Sequence, residues 1–436
     1  METLRVALGD IAEVTKLAGF EFTKHIEYLP DGEIIAIRGL NVKKGILDLT
    51  DIKRISIKAS DLLPRSKLFK NDLVLTYTGT IGEVALITED DRFHLAPNVA
   101  VVRPSGVNPY YLYCYMRSRV FKRDFETFSV GSTQKTVPMK NIRQVEIPLL
   151  PEKTQIEIGR IISLFDDKIE LNQKMNQTLE EIARAIFKSW FVDFDPVRAK
   201  AEGRPTGLPP EISDLFPDEL VDSEIGEIPK GWEVKTIADL ADCVGGATPS
   251  TKKPEFWENG HHTWTSPKDL SDSKSIHLLK TDRKITDAGL RKISSGLLPV
   301  GTVLLSSRAP VGYLALTTEP TAINQGYIAL KPQSRISNFF LLHWCESNLD
   351  EIKNRASGTT FAEISKAAFR PIPAIEPSNS AMEKFHDLVS PIYERVLVAS
   401  KEMETLAKLR DTLLPKLISG DLRIPDAEKF LEVAGI

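Results

Sequence analysis

From Ile158 the chain places Ile162, Phe165, Ile169, Asn172, Asn176, Leu179, Ala183, Ile186 and Trp190 at alternating spacings of four and three, with mostly polar residues between. Four heptads of this pattern predict a long helix whose a/d seam meets a second helix in a coiled coil. A helix packed only on its own globular domain would show a broader stripe of period 3.6. Phe385, Val389, Ile392, Val396, Ala399, Met403, Leu406, Arg410, Leu413 and Leu417 repeat the seam in the same phase. Asn172 and Asn176 occupy seam positions, where a buried amide fixes register at a cost in stability, unless the middle of the seam is wet. Pro151 suits a first helical turn. Pro391 and Pro415 predict a second helix that starts properly at 391 and bends near 415. At 1.5 Å per residue, helices of ~40 residues span ~60 Å. Packed antiparallel, the pair would be a rod with a globular unit at each end.

Ahead of each helical run the pattern changes to short, β-branched strands such as 73–77, 84–87 and 99–103, separated by Gly or Asn. Residues 110–128 and 339–355 have helical spacing with aromatics on one face. The two regions repeat each other at offsets of 225 to 230. Leu73-Val74-Leu75-Thr76 aligns with Val303-Leu304-Leu305-Ser306, Val99-Ala100-Val101-Val102-Arg103-Pro104 with Tyr327-Ile328-Ala329-Leu330-Lys331-Pro332, and Val130-Gly131-Ser132-Thr133 with Ser357-Gly358-Thr359-Thr360. The match is one of pattern more than identity, so the halves have diverged. The expected fold is α+β: two similar globular domains joined by two long antiparallel coiled-coil helices, with a pseudo-two-fold. The segments are 1–150, a first globular domain; 151–195, a central helix; 196–229, a linker rich in Pro, Gly and acidic residues; 230–375, a second globular domain; 376–420, a C-terminal helix; and 421–436, a tail.

A length of 436 residues suits two or three domains, and 42% hydrophobic with 27% charged residues is ordinary globular composition. No run of 18 uncharged apolar residues and no N-terminal apolar leader occurs, and three scattered cysteines fit a reducing cytoplasm. The net charge of −4 hides an alternation. Residues 1–150 carry 21 Lys+Arg against 18 Asp+Glu, and 230–375 carry 18 against 14. The helical and linker segments are acidic, with 9 against 17 over 151–229 and 8 against 11 over 376–436. A polyanion responds to such local fields and not to net charge; chance variation of surface charge is the plainer reading of the counts alone.

Catalytic signatures are missing. There is no phosphate-binding loop and no GxGxxG turn, and Gly79-Thr80-Ile81-Gly82 reads as a tight strand connection. Asp193-Phe194-Asp195-Pro196 lacks the second proline and aromatic of an amino-methyltransferase loop. His261-His262 has no carboxylate or cysteine at ligand spacing and reads as a solvated loop, so no metal site is assigned. Trp190, Phe191 and Phe194 either cap the seam or dock a partner protein.

Two diverged units, each followed by a long helix in the same phase, resemble the specificity subunit of type I restriction–modification systems. Gln177-Thr178-Leu179-Glu180-Glu181-Ile182-Ala183, leading into 186–194, resembles that family's central helical region. Leu409-Arg410-Asp411-Thr412-Leu413-Leu414-Pro415-Lys416-Leu417-Ile418-Ser419-Gly420-Asp421-Leu422 resembles its C-terminal one, and Gly226-Glu227-Ile228-Pro229-Lys230-Gly231-Trp232 the entry to its second recognition domain. The resemblance implies a non-catalytic, DNA-binding subunit whose two target recognition domains each read half of a bipartite, asymmetric site on double-stranded DNA. It implies docking of two methyltransferase subunits and of restriction subunits. S-adenosylmethionine, ATP and Mg are then expected in those partners, with no cofactor in this chain. A non-catalytic coiled-coil scaffold with two ligand-binding domains is the alternative; it predicts no salt-dependent DNA binding. Loops at matching places in the repeat supply the DNA-binding candidates: Arg38, Asn41, Lys43, Lys44, Thr78, Thr80, Gln134 and Lys135 in the first unit, and Lys252, Lys253, Lys268, Arg308, Thr359 and Thr360 in the second. Arg and Gln suit bidentate contacts to base edges, whereas Lys and Thr more often position phosphate.

Overall fold

Both heptad-patterned runs are helical from end to end in the computed structural model, which describes residues 4–132, 134–271, 275–333, 335–358 and 362–436. The first long helix is Glu152–Phe191 and the second Asn379–Ser419. The second helix neither restarts at Pro391 nor breaks at Pro415. Each proline frees the carbonyl four residues back, at Asp387 and Asp411, and all four residues are solvent-exposed, so water satisfies what the helix loses.

The chain divides into two compact units, one formed by residues 1–170 with 404–436 and the other by 171–403. In the first unit, Ala12–Lys16, Val99–Pro104, Leu73–Thr76 and Val84–Leu86 form an antiparallel four-stranded sheet in that order. Its two inner strands are buried on both faces over Leu73–Thr76 and 99–102, and alternate residues serve different cores. Leu73, Leu75, Ala100 and Val102 pack with Tyr111, Phe121, Ile158 and Phe165 on the helical side. Val74, Val99 and Val101 pack with Ile35, Ile37, Phe93 and Leu95 of a second, mixed sheet. In that sheet Ile34–Ile37 lies parallel to Phe93–Leu95 and antiparallel to Lys53–Ile55. Leu4–Ala7 pairs with Glu146–Leu149 and closes the unit.

The second unit repeats this plan. Ala241–Gly245, Tyr327–Pro332, Val303–Ser306 and Leu314–Thr317 form the matching antiparallel run. His262–Thr265 lies parallel to Thr321–Ile323 and antiparallel to Arg283–Ile285, and Glu233–Thr236 pairs with Pro373–Glu376. The long helices run antiparallel here: Asn172 faces Glu402, Asn176 faces Ser400, and Phe187 faces Phe385. Neither asparagine is wet. Asn172 and Asn176 are 3% and 6% exposed. Asn172 Nδ2 donates to Glu402 Oε2 at 2.9 Å, and Asn176 Nδ2 donates to Ser400 Oγ at 3.0 Å. Ile161 and Phe187, off the a/d seam, are also buried. The apolar stripe is therefore wider than a bare coiled coil requires, because each helix also packs on globular structure.

The segment after the first long helix is folded, not extended. A helix at Asp195–Ala201, a turn at Pro210–Ser213 and a hairpin of Leu220–Ser223 with Gly226–Pro229 close over an aromatic cluster. Trp190 lies 5.0 Å from Phe216, Phe191 5.8 Å and Phe194 5.9 Å from Trp232, ring centre to ring centre. Trp190, Phe191 and Phe194 are 3%, 6% and 5% exposed. The docking surface expected of them is not available; their hydrophobic area is already used in holding this segment to the helix.

Each unit carries a largely buried ionic cluster that involves a long helix. In the first, Arg117 Nη1 donates to Asp166 Oδ2 at 2.8 Å, Tyr110 Oη donates to the same oxygen at 2.9 Å, and Arg410 binds Asp166 Oδ1. Burial alone would raise the Asp166 carboxyl, but the two guanidiniums outweigh it and hold it below the usual carboxylate range. In the second unit, buried His343 hydrogen-bonds Glu346 at 2.9 Å and Tyr393 at 3.2 Å, with Arg184 on Glu346. Nearby Glu180 is pushed up to about 7 by burial, helped by Glu346 and opposed by Arg184.

Candidate nucleic-acid interface

Two loops meet at one end of the first unit's antiparallel sheet. The turn after Leu73–Thr76 carries Thr78 and Thr80, with Gly79 at φ +81°. Val130 and Thr136 are joined by reciprocal backbone bonds at 2.8 and 2.9 Å. Gly131 makes this possible: it sits at φ +92°, and a Cβ there would lie 2.7 Å from the Gln134 carbonyl oxygen. Gly79 N donates to Lys135 O at 3.0 Å and Val137 N to Tyr77 O at 2.8 Å, stitching the loops together. Thr80 and Gln134 are exposed.

Beside them, Arg38, Thr78, Thr80, Asn98, Phe22 and Tyr28 line a groove of about 440 Å³. Thus three of the sequence candidates, Arg38, Thr78 and Thr80, share one concavity. Asn98, Phe22 and Tyr28 escaped the sequence reading. Asn98 stands at φ +71° just before Val99–Pro104. The repeat gave no clue to it, since Gly326 stands at the matching place before Tyr327–Pro332.

Other candidates are committed elsewhere. Asn41 is wholly buried: its Oδ1 accepts from Arg38 N at 3.1 Å, and its Nδ2 donates to the Asp48 and Asp51 carbonyls at 2.8 and 2.7 Å. That side chain has no free edge for a base; it shapes the turn that presents Arg38. Arg38 itself reaches Asp51 Oδ1 at 3.1 Å with 18% of its side chain exposed. Lys43 pairs with Asp48 at 2.9 Å, and Lys44 N donates to Glu83 at 2.7 Å. The Asp48 carboxyl is held well below the carboxylate range, first by the Thr50 hydroxyl and then by Lys43. Lys135 lies 3.8 Å from Glu126.

The second unit builds the same junction. Ser357 and Glu363 exchange backbone bonds at 3.0 and 2.9 Å, and Ile364 N donates to Ser307 O at 3.0 Å. Arg308 stands next to that tie, 3.5 Å from Glu363. Thr359 and Thr360 lie outside the described residues. Gly246 approaches Ile323 so closely that a Cβ would sit 1.9 Å from its carbonyl oxygen, and Thr248 then reaches Gln325 at 2.6 Å. Lys268 is 81% exposed and meets Asp282 at 3.2 Å. Lys253 lies over the Phe256 ring and near Glu255, and Lys252 is exposed.

Among the described residues no helix is long and apolar enough to cross a membrane. The three cysteines are buried and unpaired.

A family model described as the type I restriction modification DNA specificity domain matches residues 3–181 and 229–388. The specificity subunit of the type I restriction enzyme HindI of Haemophilus influenzae is 27% identical, over 95% of this chain and 98% of its own length. The type I restriction enzyme MjaIX specificity subunit of Methanocaldococcus jannaschii is 27% identical, over 82% of this chain and 79% of its own. Among solved structures, the S subunit of a type I restriction-modification system from M. genitalium shares the fold, with a TM-score of 0.56 at 16% identity and 96% of both chains covered.

Proposed function

The chain belongs to the type I restriction-modification DNA specificity family, and from that premise we propose that it is the non-catalytic subunit that gives such a complex its DNA sequence. Each globular unit reads one half of a bipartite, asymmetric site, and the long helices seat two methyltransferase subunits, with restriction subunits joining the assembly. Methyl transfer from S-adenosylmethionine, and ATP- and Mg-dependent cleavage, belong to those partners.

One observation carries the reading: the same two-loop junction is built twice, on equivalent strands, with different side chains. Thr136 ties to Val130 and to the turn of Thr78, as Glu363 ties to Ser357 and to the turn of Arg308. A duplicated scaffold with divergent tips suits two half-sites of unlike sequence. Thr80 and Gln134 are the polar tips in the first unit with donors and acceptors to offer a base edge. Lys43, Lys135, Lys252 and Lys268 give up weak, exposed ion pairs or none, so phosphate takes them at little cost.

The test is methylome sequencing of a host that carries this chain with its methyltransferase subunit. The expected result is one asymmetric, two-part methylated motif, with Gln134→Ala altering the bases of one half only. Motif-specific methylation that is unchanged when this chain is deleted would overturn the proposal. In binding assays, affinity for a duplex holding the motif falls steeply with salt.

A further inference from the structure

We propose that His261, His262 and Asp287 form a surface site on the second unit for a divalent transition-metal ion of borderline softness, with Zn²⁺ the natural occupant. The carboxylate that sequence spacing does not show arrives through the sheet. His262 begins the strand His262–Thr265, which pairs with Arg283–Ile285, and the chain then turns into the short helix Asp287–Leu290. Asp287 Oδ1 ends 2.7 Å from His262 Nε2 and 3.4 Å from His261 Nε2. One ligand atom from each residue can be chosen so that all three lie within 4.8 Å of one another, the only such group among the described residues. A tetrahedral ion with bonds of about 2.0–2.1 Å sets its ligand atoms about 3.3 Å apart. Small side-chain rotations therefore suffice.

The backbone beneath is already fixed. Neighbouring residues of a regular strand point to opposite faces, yet the two imidazoles lie 4.1 Å apart, centre to centre. The turn before them explains this. Asn259 stands at φ +57°, and Gly260 packs where a Cβ would be 2.5 Å from the Lys284 carbonyl oxygen. His261 N then donates to Ile285 O at 3.1 Å. On the other side, Thr286 Oγ1 accepts from Gly289 N at 3.2 Å and donates to Glu255 O at 2.7 Å, which sets the start of the helix and so Asp287. Arg283 is stacked on the Trp257 ring, 3.4 Å from its centre. The side chains of His261 and Asp287 are 60% and 67% exposed, leaving room for water to complete the coordination. Two imidazoles and one carboxylate suit Zn²⁺, Co²⁺ or Ni²⁺ and not Mg²⁺ or Ca²⁺.

The test uses the untagged, metal-stripped full chain titrated with ZnCl₂ in a calorimeter at pH 7.5, with Co²⁺ absorption as a second readout. One equivalent should bind, His262→Ala and Asp287→Asn should each weaken binding at least tenfold, and His25→Ala should leave it unchanged. Zn²⁺ should raise the melting temperature of the parent chain but not of the Asp287→Asn variant. Absence of saturable binding, or one-equivalent binding that survives both substitutions, or equally tight binding of Mg²⁺, would overturn the assignment.

Discussion

Asp166 is the residue on which the first unit's ionic cluster turns. It accepts from Tyr110 and Arg117 of the helix Pro109–Arg117 and from Arg410 of the second long helix. Asp166→Ala leaves two guanidiniums facing each other in a site where their side chains are 15% and 17% exposed. Removing one partner of such a group costs about 3 kcal/mol, to be read as a lowered urea midpoint. Asn41→Ala should likewise unfold the chain more readily without changing the bases read, because that amide spends all its bonds on its own backbone. Glu180 carries a pH dependence. Burial pushes its carboxyl up to about 7 in the folded chain, above the ordinary 4.5, so the folded chain favours the neutral acid. That stability is complete below the unfolded value and is lost as pH rises through about 7. The melting temperature should fall between pH 4.5 and 7 and level off above that, and Glu180→Gln should flatten the fall. None of these partnerships was legible beforehand. Arg410 was visible only as a polar seam position, because Asp166 and Arg117 approach it through tertiary packing and not through spacing. His261 and His262 were visible as a pair, but not the carboxylate 25 residues on.

At the level of elements, heptad phase identified both long helices, since the apolar period survives whatever else the helix touches. Proline misled: the penalty it imposes assumes a buried carbonyl, and at Asp387 and Asp411 the freed oxygen belongs to an exposed residue. The aromatic run at 190–194 gave no sign of which way it faced, because its covering segment looked like linker. The Asn176–Ser400 contact fixes which residues face each other. Asn176 Oδ1 is buried without a partner, so the amide is a costly way to set register. Replacing both sides together, Asn176→Leu with Ser400→Ala, should raise stability by about 1 kcal/mol. Cysteine cross-linking across the seam should then report mixed registers where the parent gives one.

For the whole molecule, the repeat was the most informative thing in the sequence. It located the paired loop junctions, though not which tips are free, because side-chain commitments such as Asn41 with Asp48 and Asp51 depend on turns that pattern does not encode. If the long helices set the distance between half-sites, one helical turn of about 5.4 Å added to each should widen the gap in the methylated motif by one or two base pairs. Methylome sequencing of that variant reads the answer directly; an unchanged gap would remove the helices from that role.

The first unit is closed by chain from both ends of its sequence. Leu406, Leu413, Leu414, Leu417, Ala427 and Leu431 share a core with Tyr111, Phe121, Ile158 and Phe165. On the ribosome that core waits. About 230 residues must be made after residue 170 before its covering stretch emerges, some tens of seconds at bacterial elongation rates of roughly 5–20 residues per second. The unit made from uninterrupted sequence is built throughout that interval, while the one begun first stands open, its greasy helix face bare to chaperones and to neighbouring nascent chains.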